Sequence, residues 1–180
     1  MAEGKIPSTG TEKVDLNKPC VDCKKKKYTL CIRARKPHPL HPRDFGHANL
    51  ALVETGPNGS QPPTKTYGNW PASYSPGAAS TLKEDFKYDQ QHGDYQYVRC
   101  KEVTEEQAEK LKQTAKQNGQ EWYYSNNNCA TWSSNQWREA TGESLDVGKN
   151  NLLYDSPTTL GQSITKANGG QPTNFTGNWP

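Results

Sequence analysis

The stretch YYSNNNCATWSSNQW, residues 123–137, sets three asparagines directly before a cysteine and follows it with a segment carrying two tryptophans. Asparagine is among the best N-cap residues, because its side-chain oxygen accepts a hydrogen bond from a free amide of the first helical turn. The run therefore predicts a turn leading into a capped helix that begins at Asn128 or Cys129, reaches about Ala140 and stops at Gly142. A cysteine in that first turn sits beside unpaired amides and the positive end of the helix dipole, both of which favour thiolate over thiol. The same amides can hold an oxyanion, so the position suits a nucleophile that attacks a carbonyl. The plainer reading is a small buried residue at a helix start. A histidine within reach would decide between the two.

Four histidines compete for that part. His38 and His41 lie among prolines and His92 in a polar loop, where each reads as a surface residue. His47 opens GHANLALV, residues 46–53, an apolar-rich run that follows the proline cluster and is stopped by the turn-forming TGPNGSQPP. This is the clearest strand in the chain, and TKTYGNW makes its return strand in a hairpin. Upstream, KYTLCIRARK alternates Tyr28, Leu30 and Ile32, as a strand does. YQYVRCKEV sets Tyr95, Tyr97 and Arg99 on one side against Gln96, Val98 and Cys100 on the other, again a strand.

TEEQAEKLKQTAKQNG carries the strongest local helix signal: Thr104 and Gln107 form a capping box, Glu105 and Glu106 suit the helix dipole, and Gly119 closes the end. Ala108, Leu111 and Ala115 give it one narrow apolar stripe. Residues 72–94 read as a surface loop with at most a turn of helix. The last stretch, QPTNFTGNWP, echoes QPPTKTYGNWP at 61–71 and suggests a second strand edge. The expected organisation is a flexible arm over 1–19, a catalytic domain over 20–155, and a Gly, Asn and Thr-rich tail over 156–180 packed on it.

Composition limits the function classes. Only 31% of the 180 residues are hydrophobic and the mean hydropathy is −1.08, so the core must be concentrated in a few segments and must use the 5 Trp and 9 Tyr. A net charge of +3 from 22 basic and 19 acidic residues is too balanced for a nucleic-acid footprint, and Lys24 to Lys27 read as a solvated basic face. No run approaches the roughly 18 apolar residues of a membrane span, and the polar start lacks the apolar core of a signal peptide. The expectation is a chain made in the cytoplasm without a cleavable signal and carried elsewhere by a specialised system.

GHANLALVE, then a TYGNWP return strand, then EVTEEQAEKL, then YSNNNCATW resembles the circularly permuted branch of the NlpC/P60 and papain-like superfamily, in which the histidine strand precedes the cysteine helix. The resemblance covers about residues 44–142 and rests on Gly46-His47 at a strand start and Asn128-Cys129 at a helix start. It implies an α+β fold: an antiparallel sheet bearing the base, packed against a helix bearing the nucleophile. By that analogy Cys129 attacks an amide or ester carbonyl, His47 moves the proton, and the Cys129 amide helps hold the oxyanion. A third polar group usually orients the histidine from the next strand; Asn69 is the residue chosen by analogy, with Thr66 and Tyr67 as rivals. The resemblance further implies a cysteine amidase or peptidase acting on peptidoglycan peptides, small members of this kind being effectors delivered into a rival cell's periplasm and matched by an immunity protein. Acyl transfer on lipids within the same fold is the alternative chemistry. A non-enzymatic module that uses its Tyr and Trp to bind carbohydrate or peptide is the alternative of another class.

Five cysteines leave at least one thiol unpaired, and Cys129 is the candidate. Cys20 and Cys23 with Cys31, His38 and His41 could supply four zinc ligands, but the second tight pair of a good zinc site is missing. Free thiols are the plainer expectation there, with a Cys20–Cys23 or Cys20–Cys31 disulfide as alternatives in an oxidising space. No metal or cofactor is expected.

Overall fold

The computed structural model describes residues 13–16, 25–37, 39–40, 45–57, 59–60, 64–71, 80–84, 95–116, 127–148 and 155–176. Its architecture grows from two strands that are largely buried on both faces. In β2 (Lys27–Arg35), Tyr28, Leu30, Ile32 and Ala34 point to one side, while Cys31 points to the other. In β3 (His47–Thr55), Ala48, Leu50 and Leu52 share the first side, and Ala51 and Val53 the second. Strands buried on both sides belong at the centre of a sheet. Here β2 and β3 pair antiparallel over their whole length, from Lys27 opposite Thr55 to Arg35 opposite His47.

The remaining strands flank this pair. A two-residue β1 (Val14–Asp15) lies apart from the main sheet, whose other members are β4 (Lys65–Pro71), β5 (Ser80–Glu84) and β6 (Tyr97–Val103). The order is β5-β4-β3-β2-β6, all neighbours antiparallel. Strand β5 falls within the segment expected to be loop; as an edge strand it depends on its ladder with β4 rather than on a strong pattern of its own.

Three helices supply the layer that covers one face. Helix α1 (Glu105–Thr114) has the expected capping box: the Gln107 amide donates to Thr104 Oγ1 at 3.2 Å and the Thr104 amide to Gln107 Oε1 at 2.8 Å. It ends at Ala115, and Gly119, the expected terminator, lies outside the described residues. Helix α2 (Cys129–Thr141) is capped by Asn128 and closed by Gly142 in the left-handed region at φ 71°. Helix α3 (Pro157–Ala167) lies in what the composition presented as a tail. Ser156 caps it with Pro157 in the first turn, and Leu160 and Ile164, four apart, are fully buried against the sheet.

The second face of the sheet is closed by the two chain ends. Val14 and Asp15 pair in parallel with Phe175 and Thr176 of β7 (Phe175–Thr176), and Val14, Leu16 and Phe175 pack against Cys31, Ala51, Val53, Val98 and Cys100. Phe175–Thr176 is thus the second strand edge suggested by the sequence echo, and the part of the arm around Val14 is tied down. The outer edge of β6 is capped by side chains: Asn174 accepts from the Cys100 amide at 2.6 Å and donates to its carbonyl at 2.9 Å, and Asn168 donates to the Val98 carbonyl at 2.9 Å.

Two connections fasten this frame. Cys31 and Cys100, directly opposite in β2 and β6 with Cα atoms 4.0 Å apart, form a disulfide on the second face. This replaces the expected free thiol or Cys20 partner for Cys31 and removes Cys31 from any zinc site. Cys20, Cys23, His38 and His41 lie outside the described residues, and among the described residues no cluster of three or more metal-ligating side chains forms. On the helix side, Arg99 is buried and bonded by both guanidinium edges: Nε and Nη2 reach Glu143 at 2.6 and 2.7 Å, and Nη1 donates to Asn168 Oδ1 at 2.8 Å and the Ala167 carbonyl at 3.0 Å. Strand β6, the end of α2 and the end of α3 therefore meet on one cation. Among the described residues no helix is long and apolar enough to cross a membrane.

Removing the disulfide by Cys31→Ala with Cys100→Ala is expected to cost about 2–5 kcal/mol in chemical denaturation while the fold persists, because the β2–β6 ladder remains. Glu143→Ala, which strands a buried guanidinium, is expected to cost about 3–5 kcal/mol. Burial pushes the Glu143 carboxyl up, but the Arg99 hydrogen bond and charge outweigh it and hold it below its ordinary range. Its stabilising contribution is therefore full above the unfolded carboxyl's pKa of about 4.3 and lost as pH falls through the lower folded value, which acid titration of wild type against Glu143→Gln measures.

Candidate active site

The position of the Cys129 sulfur is set by how the tip of α2 is capped. Asn128 Oδ1 accepts from the amides of Ala130 at 2.9 Å and Thr131 at 3.2 Å. The Cys129 amide, first of the helix, lies outside the cap's bonds. The cap is held in turn by Asp155: its carbonyl accepts from Asn128 Nδ2 at 2.8 Å, and its carboxylate accepts from Thr131 Oγ1 at 2.8 Å. The residue that precedes α3's own cap thus pins the end of α2 that carries the sulfur.

The histidine's position is set by Gly46. Its φ is 81°, and a Cβ built there would stand 2.6 Å from the Arg35 carbonyl oxygen, so only glycine lets the chain turn against the end of β2. The next residue is His47, the first of β3, in register with Arg35 and 2% exposed.

These two positions meet. His47 hydrogen-bonds the Cys129 sulfur, and the amides of Ala48 and Ala130 donate to it as well. Burial alone would push this thiol up; the His47 charge and hydrogen bond, with the two amides, outweigh burial and bring it below its ordinary value. Cys129 is the free cysteine among the described residues. The pair therefore has the parts of a thiolate–imidazolium couple: a sulfur stabilised as an anion, an imidazole to hold the proton, and helix-tip amides beside it.

The sheet makes room for the sulfur by splaying. Strands β3 and β4 pair only at Leu50–Tyr67, Ala51–Thr66 and Leu52–Lys65. Beyond Leu50, the start of β3 stays bonded to β2, and the end of β4 stays bonded to β5. Between them the Ala48 amide turns to the sulfur instead of to a strand, and α2 packs against both β3 and β4.

Asn69 stands on the β4 side of this opening. By the two-residue period it shares the helix-facing side with Tyr67, a member of the core there. It is 1% exposed, and neither its Nδ2 nor its Oδ1 has a hydrogen-bond partner, so it does not hold the His47 imidazole. Thr66, a rival for the orienting role, is buried with its hydroxyl likewise unpartnered, and Tyr67 belongs to the helix-side core. Ser133, four residues after Cys129 on α2, also keeps a buried hydroxyl without a partner; nothing in the sequence pattern singles it out. His92 lies outside the described residues.

Alkylation of Cys129 by iodoacetamide is expected to persist at about pH 6, where a free thiol of pKa about 8.5 is almost wholly protonated. His47→Ala removes the charge and bond that lower the thiol, so its alkylation profile is expected to shift to higher pH, with at least a tenfold slower rate at the acidic end, read by mass spectrometry of the labelled peptide.

Comparison with protein-family models, curated proteins and solved structures finds no match to this chain.

Proposed function

We propose that this protein is a cysteine-nucleophile hydrolase, an amidase or peptidase, with Cys129 as nucleophile and His47 as the acid and base. The observation that carries this reading is the buried Cys129–His47 contact, in which the thiol is brought below its ordinary value against the effect of burial. A cysteine placed only for packing has no need of an imidazole, two donated amides and a capped helix tip around its sulfur. The order of His47 strand before Cys129 helix, and an antiparallel sheet under that helix, fit a circularly permuted papain-like core.

The substrate class proposed is the peptide moiety of peptidoglycan, cut by an effector delivered into a rival periplasm, with a cognate immunity protein as its inhibitor. The Cys31–Cys100 disulfide favours such a place of action, because disulfides persist in oxidising compartments and rarely in the cytosol. A second reading, hydrolysis or transfer of lipid acyl groups, draws on Phe45, an exposed aromatic ring (52%) two residues before His47.

Purified wild type and Cys129→Ala incubated with peptidoglycan sacculi, and in parallel with phospholipid vesicles, separate these readings. The expected result is release of cleaved stem peptides by wild type, a loss of at least a thousandfold in Cys129→Ala, and intact phospholipid. Acyl release from the vesicles alone would select the lipid reading, and equal behaviour of both proteins on both substrates would remove the hydrolase proposal.

A further inference from the structure

We infer that Asn69 is a substrate-facing catalytic residue, whose carboxamide donates from β4 to the acyl oxygen as Cys129 attacks; this rests on the hydrolase reading above. In the structure its two polar atoms are buried and without a hydrogen-bond partner. Burying an amide without a partner is destabilising, and folded proteins leave such groups rarely. Where one persists beside a nucleophile, the missing partner is reasonably sought in the molecule that enters the site.

Its place in the sheet supports this. Continuing the β3–β4 register past Leu50–Tyr67 brings Asn69 opposite Ala48, whose amide is on the Cys129 sulfur. The two strands no longer bond there, so the carboxamide from β4 and the Ala48 amide from β3, which is on the sulfur of α2, face the gap between the strands. On the helix side stands the Cys129 amide, which the Asn128 cap leaves out. Two donors from two elements are then left for an oxyanion, the kind of pair an oxyanion hole uses.

The step balances without further groups than water. The sulfur pair forms the S–C bond while the carbonyl π pair moves to oxygen, where the Cys129 amide and Asn69 Nδ2 hold the charge. The pair returns as the bond to the leaving amine breaks, and the amine takes the proton held by His47. Water then attacks the thioester by the same path, giving up its proton to the imidazole and releasing the acid and the thiolate.

Asn69→Leu and Asn69→Asp, compared with wild type in two reactions, test the assignment. Alkylation by iodoacetamide passes through no oxyanion and reports the Cys129–His47 pair; acylation by p-nitrophenyl acetate passes through one. The expected result is acylation slowed about 10²–10³-fold, with the alkylation pH profile unmoved. Asn69→Leu is expected to melt no lower than wild type, because no hydrogen bond is lost. An alkylation profile displaced to higher pH in both variants would make Asn69 a positioning residue for His47 and overturn the inference. Unchanged acylation would overturn it too, leaving the hydrolase reading intact. A wild type neither alkylated at acidic pH nor acylated would remove that reading, and this inference with it.

Discussion

Everything in the molecule is referred to the antiparallel ladder between β2 and β3. Because side chains alternate faces along a strand, a slip of one residue would send Leu50 and Leu52 to the wrong side and bring Asn49 and Val53 under the helices. That register places His47 beside the last residue of β2, where Gly46 can make the turn into it. The Cys31–Cys100 cross-link is set separately, by the register of β2 with β6. The imidazole and the cross-link are thus placed by the two ladders that β2 makes.

The polar interior is divided between satisfied and unsatisfied groups. Far from the sulfur, Arg99 spends both guanidinium edges on Glu143, Asn168 and the Ala167 carbonyl, and Asn174 completes the edge of β6. Thr64, Thr66 and Asn69, before and on β4, and Ser133 on α2 have buried polar atoms with no partner. A fully bonded network makes a region rigid, whereas open valences keep a region ready for an incoming polar molecule. The first arrangement fastens the ends of α2 and α3 to β6, leaving Asn69 on β4 and Ser133 within α2 among the buried groups that the fold does not satisfy by itself.

What could be read from the sequence was whatever rests on neighbours along the chain. Asn128 and Gly142 marked both ends of α2, Thr104 with Gln107 marked the start of α1, and the alternation of Tyr28, Leu30 and Ile32 marked β2. Helix α3 had a local signal too, Ser156-Pro157 followed by Leu160 and Ile164, but the Gly, Thr and Asn around it dominated the composition. Strand β5 had none, since its pairing with β4 decides it. The Cys31–Cys100 bond joins residues 69 apart and follows only from the β2–β6 register. Each member of the Cys129–His47 pair was visible as a special position, yet their meeting depends on β3 and β4 parting beyond Leu50, which no local pattern announces. That Asn69 lies on the next strand was legible; that its carboxamide is unbonded was not.

The parallel pairing of Val14–Asp15 with Phe175–Thr176 brings the two extremities of the described chain side by side on the back of the sheet. Neighbouring strands lie about 4.8 Å apart, so a crossover of about a dozen residues, as a parallel pair requires, could bridge such ends and new ones could be opened between α1 and α2. The rearranged polypeptide would run from thiol helix to imidazole strand with every ladder kept. The order of Cys129 and His47 along the chain is therefore a matter of where the backbone happens to be open, and the three-dimensional arrangement is indifferent to it.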